Sequence, residues 1–175
     1  QYKRNIMTIA IIKYNAGNTR SVSFALERLG IVPLVTDNIE AIQNADKVIF
    51  PGVGEASSAM QYLRERKMDQ LIVSLTQPLL GICLGQQLMC THSEEGNTTC
   101  LGIFDAAVKK FPPIELVPHK GWNNSNEVKG RLVEGLNEAD NVYYVHSYNA
   151  EESEDTTAIC NYIVPFSAAI QKTSV

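Results

Sequence analysis

The chain is predicted to adopt an α/β fold: an open, mainly parallel sheet with helices on both faces, then a smaller strand-rich second half. Three observations carry this expectation. Short apolar runs alternate with helix-period segments through the first half. The runs lack polar alternation, as strands covered on both faces do. Glycine-rich loops end two of them, and an open parallel sheet gathers its functional groups at the carboxyl ends of its strands.

The elements follow in order. "TIAIIK" (residues 8–13) is rich in isoleucine and reads as a buried strand. In "NTRSVSFALERLG", Val22, Leu26 and Leu29 are spaced for one helical face and Gly30 is the stop. "VPLVT" is a short strand, "NIEAIQNA" a short helix, and "KVIF" (residues 47–50) a strand that breaks at "PGVG". "ASSAMQYLRER" and "MDQLIVSL" read as helices before "PLLGI" runs as a buried strand into Cys83. This β-α-β-α order implies parallel strands with right-handed crossovers. In the second half, "LGIFDAAVKKF", "VYYVHSY", "TAICNYI" and "FSAAIQ" are strand-like pieces joined by loops rich in Asn, Glu and Pro.

Composition narrows the class. With 175 residues, 45% hydrophobic and 19% charged, the chain suits one globular domain with a real core. A formal net charge of -4 offers no basic field for nucleic acid. No apolar run is long enough to span a bilayer, so no membrane partner is expected. Cys83, Cys90, Cys100 and Cys160 form no Cys-x-x-Cys pair and no secreted-type framework, which points to a reducing, cytoplasmic setting. The opening "QYKRNIMTIAIIKY" lacks a cleavage site, and Met7 suggests that residues 1–6 are an upstream extension.

The sharpest local signal is "GICLG". Gly81, Cys83 and Gly85 have the Gly-x-nucleophile-x-Gly form of a nucleophile elbow, with cysteine as the nucleophile. A sharp strand-to-helix turn strains the central backbone and crowds the flanking positions, where a Cβ would clash. The following "LGQQLMCTH" can form a helix whose N-terminus favours the thiolate. A buried structural cysteine in a glycine-rich turn is the plainer alternative, and an isolated motif of this kind would favour it. Here the motif ends a strand and starts a helix, as the chemistry requires. Cys90, Cys100 and Cys160 lack such surroundings and read as small packed hydrophobes. A thiolate attacking a carbonyl generates an oxyanion that needs aimed donors. The candidates are the amide of Leu84 and that of Val53, whose flanking glycines let the peptide reorient. Taken alone, "PGVG" would read as a plain turn.

Together, "FPGVGEA", "GICLGQQLM", "SEEGNTTCLGIF", "VPHKGWN" and "YYVHSYNAE" resemble the class I, triad-type glutamine amidotransferases, in order and across nearly the whole chain from Met7. "PGVG" with "VPHKGWN" and "VHSY" resembles more narrowly the glutamine amidotransferase subunits of imidazole glycerol phosphate synthases. The resemblance implies an open, mainly parallel sheet flanked by helices, and a single glutamine amidotransferase domain over residues 7–175. It implies that Cys83 attacks the side-chain amide of glutamine, giving a γ-glutamyl thioester and ammonia, with no cofactor. Gly54, Gln87 and Glu95 would line the glutamine pocket, and Ser147 and Tyr148 would present groups to the α-carboxylate and α-amino ends. The implied partner is a (β/α)8-barrel cyclase subunit in a heterodimer. It would receive ammonia through a channel and make imidazole glycerol phosphate and an aminoimidazole carboxamide ribotide for histidine biosynthesis. Residues 14–21 and the Trp122 region would face that partner.

The chain also departs from the family. The family's base and orienting acid lie in a His-Pro-Glu segment, which does not occur in these 175 residues. Either a C-terminal part is missing or the protein lacks its base, and these 175 residues are expected to have negligible glutaminase turnover by themselves. The stretch between Pro113 and Val117 is short for the family, and Lys13 stands where an acidic residue is expected. Of the three histidines, His92 is placed on the same helix as Cys83, roughly 13 Å along its axis, too far to act as base. His119 and His146 remain open from sequence, each more simply a histidine held by hydrogen bonds. No ligand-spaced partners suggest a metal. Two rival functions stay open: another triad-type amidotransferase, or a non-catalytic binding module that kept the fold.

Overall fold

The computed structural model describes residues 7–172; the proposed extension and the final "TSV" lie outside the described residues. The chain divides into two compact units, one running to Leu88 and the other starting at Met89.

In the first unit the elements are β1 (Ile9–Ile12), α1 (Thr19–Arg28), β2 (Leu34–Thr36), α2 (Ile39–Gln43), β3 (Lys47–Gly52), α3 (Ala56–Glu65), α4 (Met68–Ser74), β4 (Leu79–Cys83) and α5 (Leu84–Leu88). The four strands form one sheet in the order β2-β1-β3-β4, every pair parallel. Two of the helix starts have a clear local cause. The Asn18 side chain accepts from the Ser21 amide and the Asn38 side chain from the Ala41 amide, capping α1 and α2. Val22 and Leu26 pack α1 onto Ile9, Ile11 and Ile49. Leu29 does not share that face. It is the C-cap, its amide turning back to the Leu26 carbonyl, and its side chain is exposed.

Two strands differ from expectation. β3 continues through Pro51 and Gly52 because β4 pairs with it over that stretch, while its pairing with β1 ends at Ile49. Pro51 lacks an amide donor, and here it needs none toward β1. β4 is not buried on both faces: among the described residues it pairs only with β3, and Leu80 and Ile82 are exposed.

The second unit contains β5 (His92–Ser93), β6 (Thr98–Thr99), β7 (Ala107–Lys110), β8 (His119–Asn124), β9 (Asn141–His146), β10 (Tyr148–Ala150), β11 (Thr156–Tyr162) and β12 (Val164–Ile170). One sheet runs β10-β7-β5-β6, and β8–β9 and β11–β12 are antiparallel pairs. Phe111, Cys160 and Phe166 form a core into which Tyr144 and Tyr162 pack. "VPHKGWN", which is not among the strand-like pieces of the sequence, supplies β8, which pairs along its length with β9. The helix expected to carry His92 stops at Leu88, and the chain turns into the β5–β6 hairpin instead. Among the described residues no helix is long and apolar enough to cross a membrane.

Candidate active site

Cys83 closes β4 and has φ 56°, a left-handed conformation that a non-glycine residue adopts at a cost. It is exposed, whereas Cys90, Cys100 and Cys160 are buried. Burial pushes the Cys90 thiol up to about 12, the neighbouring Cys100 adding to it. Burial likewise raises Cys160, against a smaller lowering by its Tyr144 hydrogen bond.

The register places Gly52 beside Cys83, so the loop after β3 and the turn after β4 meet at one end of the sheet. The glycines there answer to packing. A Cβ on Gly85 would drive into the Phe50 carbonyl of β3, so the crowding comes from the neighbouring strand. A Cβ on Gly52 would lie 2.8 Å from both the Gly85 nitrogen and the Leu84 Cβ, and 2.5 Å from the Tyr14 Oη. Gly54, at φ 120°, is in a backbone region closed to most side chains.

The remaining first-unit candidates gather around this end. Leu84 is buried as the first residue of α5, and Gln87, partly buried, follows on that helix. The Val53 amide, expected to face an oxyanion, donates instead to the Ala16 carbonyl at 2.6 Å. α5 spans five residues, less than the helix expected after Cys83. Glu55, immediately after the loop, caps α3: its carboxylate accepts from the Ser57 and Ser58 amides. The Ser58 amide, the largest influence, holds that carboxyl below its usual range, with Ser57 assisting against desolvation.

In the second unit, Glu95 lies at the turn of the β5–β6 hairpin, where its carbonyl accepts from the Thr98 hydroxyl at 2.8 Å. Ser147 joins β9 to β10, and its carbonyl accepts from the Phe111 amide at 3.0 Å. Tyr148 opens β10, and its carbonyl accepts from His146 Nδ1 at 2.7 Å. That bond requires the proton on His146 Nδ1, leaving Nε2 to accept from His119 Nδ1 at 3.1 Å. The two imidazoles thus form a neutral relay pointing to the Tyr148 carbonyl. Burial is the chief cause depressing both, and for His146 the Tyr148 carbonyl opposes it while His119 adds to it. His119 is stacked between Tyr162, at 3.9 Å, and Tyr144, at 5.1 Å. His92 Nε2 meets Asn97 Oδ1 at 2.9 Å.

Sequence reasoning reaches neither the histidine relay nor the Glu55 cap. The relay joins residues 27 apart that only strand pairing brings together, but the cap had a local signal in an acidic residue followed by two serines. Among the described residues no group of three or more His, Cys, Asp or Glu stands together to hold a metal.

Comparisons with known proteins agree with this architecture. The family described as Glutamine amidotransferase class-I matches residues 10–171. The chain is 56% identical to the imidazole glycerol phosphate synthase subunit HisH of Bacteroides fragilis, over 95% of this chain and 86% of that protein. It is 52% identical to the HisH subunit of Bacteroides thetaiotaomicron over the same shares. It is 46% identical to that of Pasteurella multocida, over 95% of this chain and 85% of the relative. A solved structure titled "Crystal structure of glutamine amidotransferase" superposes with a TM-score of 0.67 at 18% identity, covering 91% of this chain and 88% of the other, a likeness of fold. With an exposed, left-handed cysteine between a parallel strand and a helix, and relatives of this similarity, the chain belongs to the class-I glutamine amidotransferase family, among the HisH subunits of imidazole glycerol phosphate synthase.

Proposed function

We propose that the chain is the glutamine-hydrolysing subunit of an imidazole glycerol phosphate synthase, acting in histidine biosynthesis. The observation that carries this reading is Cys83 itself: an exposed sulfur on a strained turn, beside a glycine loop from the next strand.

The Cys83 thiolate attacks the carboxamide carbon of glutamine, forming a C–S bond and a tetrahedral oxyanion. The C–N bond then breaks and the nitrogen leaves as ammonia with the proton that the thiol gave up on ionising. That transfer needs the base the family carries in its His-Pro-Glu segment, which these 175 residues do not contain. Water cleaves the γ-glutamyl thioester to glutamate and returns the sulfur. The Leu84 amide is one oxyanion donor. Val53 is the second once its glycine-flanked peptide turns away from Ala16, since its amide is engaged there. Gly54 and Gln87, both in the first unit with Cys83, are glutamine contacts. Glu95, Ser147 and Tyr148, in the second unit, are substrate contacts on the family resemblance alone. Because the Ser147 and Tyr148 carbonyls are already engaged, the Ser147 hydroxyl is the natural group there.

Ammonia passes to a synthase partner, a (β/α)8-barrel cyclase in a heterodimer. The exposed face of β8–β9 supports a docking role: Trp122 is 71% exposed and packs edge-on against exposed Tyr143, with Val145 and Lys120 paired beside them. Residues 14–21 form a second contact. A cytoplasmic setting suits a nucleophile that must stay a thiol.

The test is Cys83→Ala in the complex with the synthase partner. Glutamine-dependent synthesis is expected to vanish while synthesis from ammonium salts persists. Loss of both would refute the division of labour. A diazo ketone analogue of glutamine is expected to label Cys83; absence of labelling would favour a different amide substrate or a binding module.

A further inference from the structure

Tyr14 follows β1 and leads into the loop before α1. Its ring tilts against Phe50, with centroids 5.3 Å apart, and lies under Gly17. The residue is only 7% exposed, yet among the described residues its hydroxyl has no hydrogen-bond partner. Phenylalanine would fill the same space without the cost of burying an unpaired hydroxyl. The position of that hydroxyl suggests what it is for. Gly52 stands beside Cys83 in the sheet, and the space a Gly52 side chain would occupy is taken by Tyr14 Oη and the Gly85 nitrogen.

We propose that Tyr14 is a positioning residue for the nucleophile, its hydroxyl donating a hydrogen bond to the Cys83 sulfur when the thiol ionises. This rests on the reading of Cys83 as the nucleophile and adds how its charged form is held. A neutral thiol is a weak acceptor and leaves the hydroxyl unsatisfied; a thiolate is a strong one and satisfies it. The bond therefore favours the ionised sulfur selectively. Burial, and secondarily the charge on Cys83, push the Tyr14 hydroxyl well above its ordinary value. Tyr14 thus keeps its proton through the working range and stays a donor.

The experiment follows Cys83 alkylation by iodoacetamide against pH in the full-length protein bound to its synthase partner, with the modified peptide read by mass spectrometry. In Tyr14→Phe the midpoint is expected to rise by about one unit, and alkylation below both midpoints to slow about tenfold. The acid limb of kcat/KM should move with it, while the melting temperature holds or rises. A ring-fluorinated tyrosine at position 14, a more acidic donor of nearly the same shape, should lower the midpoint. It also tests the bond if the phenylalanine variant folds poorly. Midpoints unmoved in a folded variant, with Cys83 still labelled by the glutamine analogue, would overturn the role of Tyr14 alone. A wild-type Cys83 that resists the analogue would overturn the nucleophile reading with it.

Discussion

At the scale of single residues, the first unit spends its glycines on proximity. Gly85 lets the start of α5 lie against the Phe50 carbonyl, and Gly52 leaves room for Tyr14 Oη and the Gly85 nitrogen. Gly85→Ala is expected to destabilise the fold by at least about 1–3 kcal/mol, because the atom opposite is backbone and cannot swing aside; thermal denaturation measures it. The cysteines diverge through exposure. Under native conditions near neutral pH, iodoacetamide should modify Cys83 first, while Cys90, Cys100 and Cys160 react only after denaturation. Early labelling of Cys90 in peptide maps would contradict the burial that holds its thiol near 12. The two glycines of "GICLG" pointed to the turn at Cys83, but not to the strand that makes Gly85 necessary.

The elements of the first unit were legible because their causes are local. Apolar runs and the stop at Gly30 lie within a few residues of the structure they set, as do the Asn18 and Asn38 caps that the structure adds. β5, β6 and β8 were not, because their pairing is set by other segments: β8 has no strong strand composition, and β9 gives it one. The α5 boundary failed for the same reason, since residues after Leu88 were recruited into a hairpin. Glu55 belongs to this scale, as the cap of α3 immediately after the loop beside Cys83. Glu55→Ala is expected to cost about 1 kcal/mol in urea unfolding. Its carboxyl is depressed on folding, so its contribution is present above the usual carboxylate range. It fades as pH falls through the lower folded value. The variant should therefore differ from wild type near neutrality and converge with it in acid.

At the scale of the whole molecule, each unit has its own core, aliphatic around β1 and aromatic around Phe111. The aromatic core holds the His119–His146 relay, and this gives the second unit a pH dependence. Both imidazoles are depressed by folding. The unfolded chain therefore binds more protons over the window below about 6.5. Stability is full above that value and falls as pH drops toward the folded values. Differential scanning calorimetry from pH 7.5 to about 5 should show the melting temperature falling, and His119→Phe, which keeps an aromatic ring between the tyrosines, should flatten the slope. An unchanged slope would mean that the pair does not govern it. From residue order alone came the parallel sheet of the first half, its helices and the cysteine at the turn, because hydrophobic period and turn glycines act over a few residues. The Val53 amide turned to Ala16, the hydroxyl beneath Gly52 and the coupled imidazoles arose only when distant segments met. Hydrogen-bond partners and burial are properties of neighbours in space, and a linear chain does not name them.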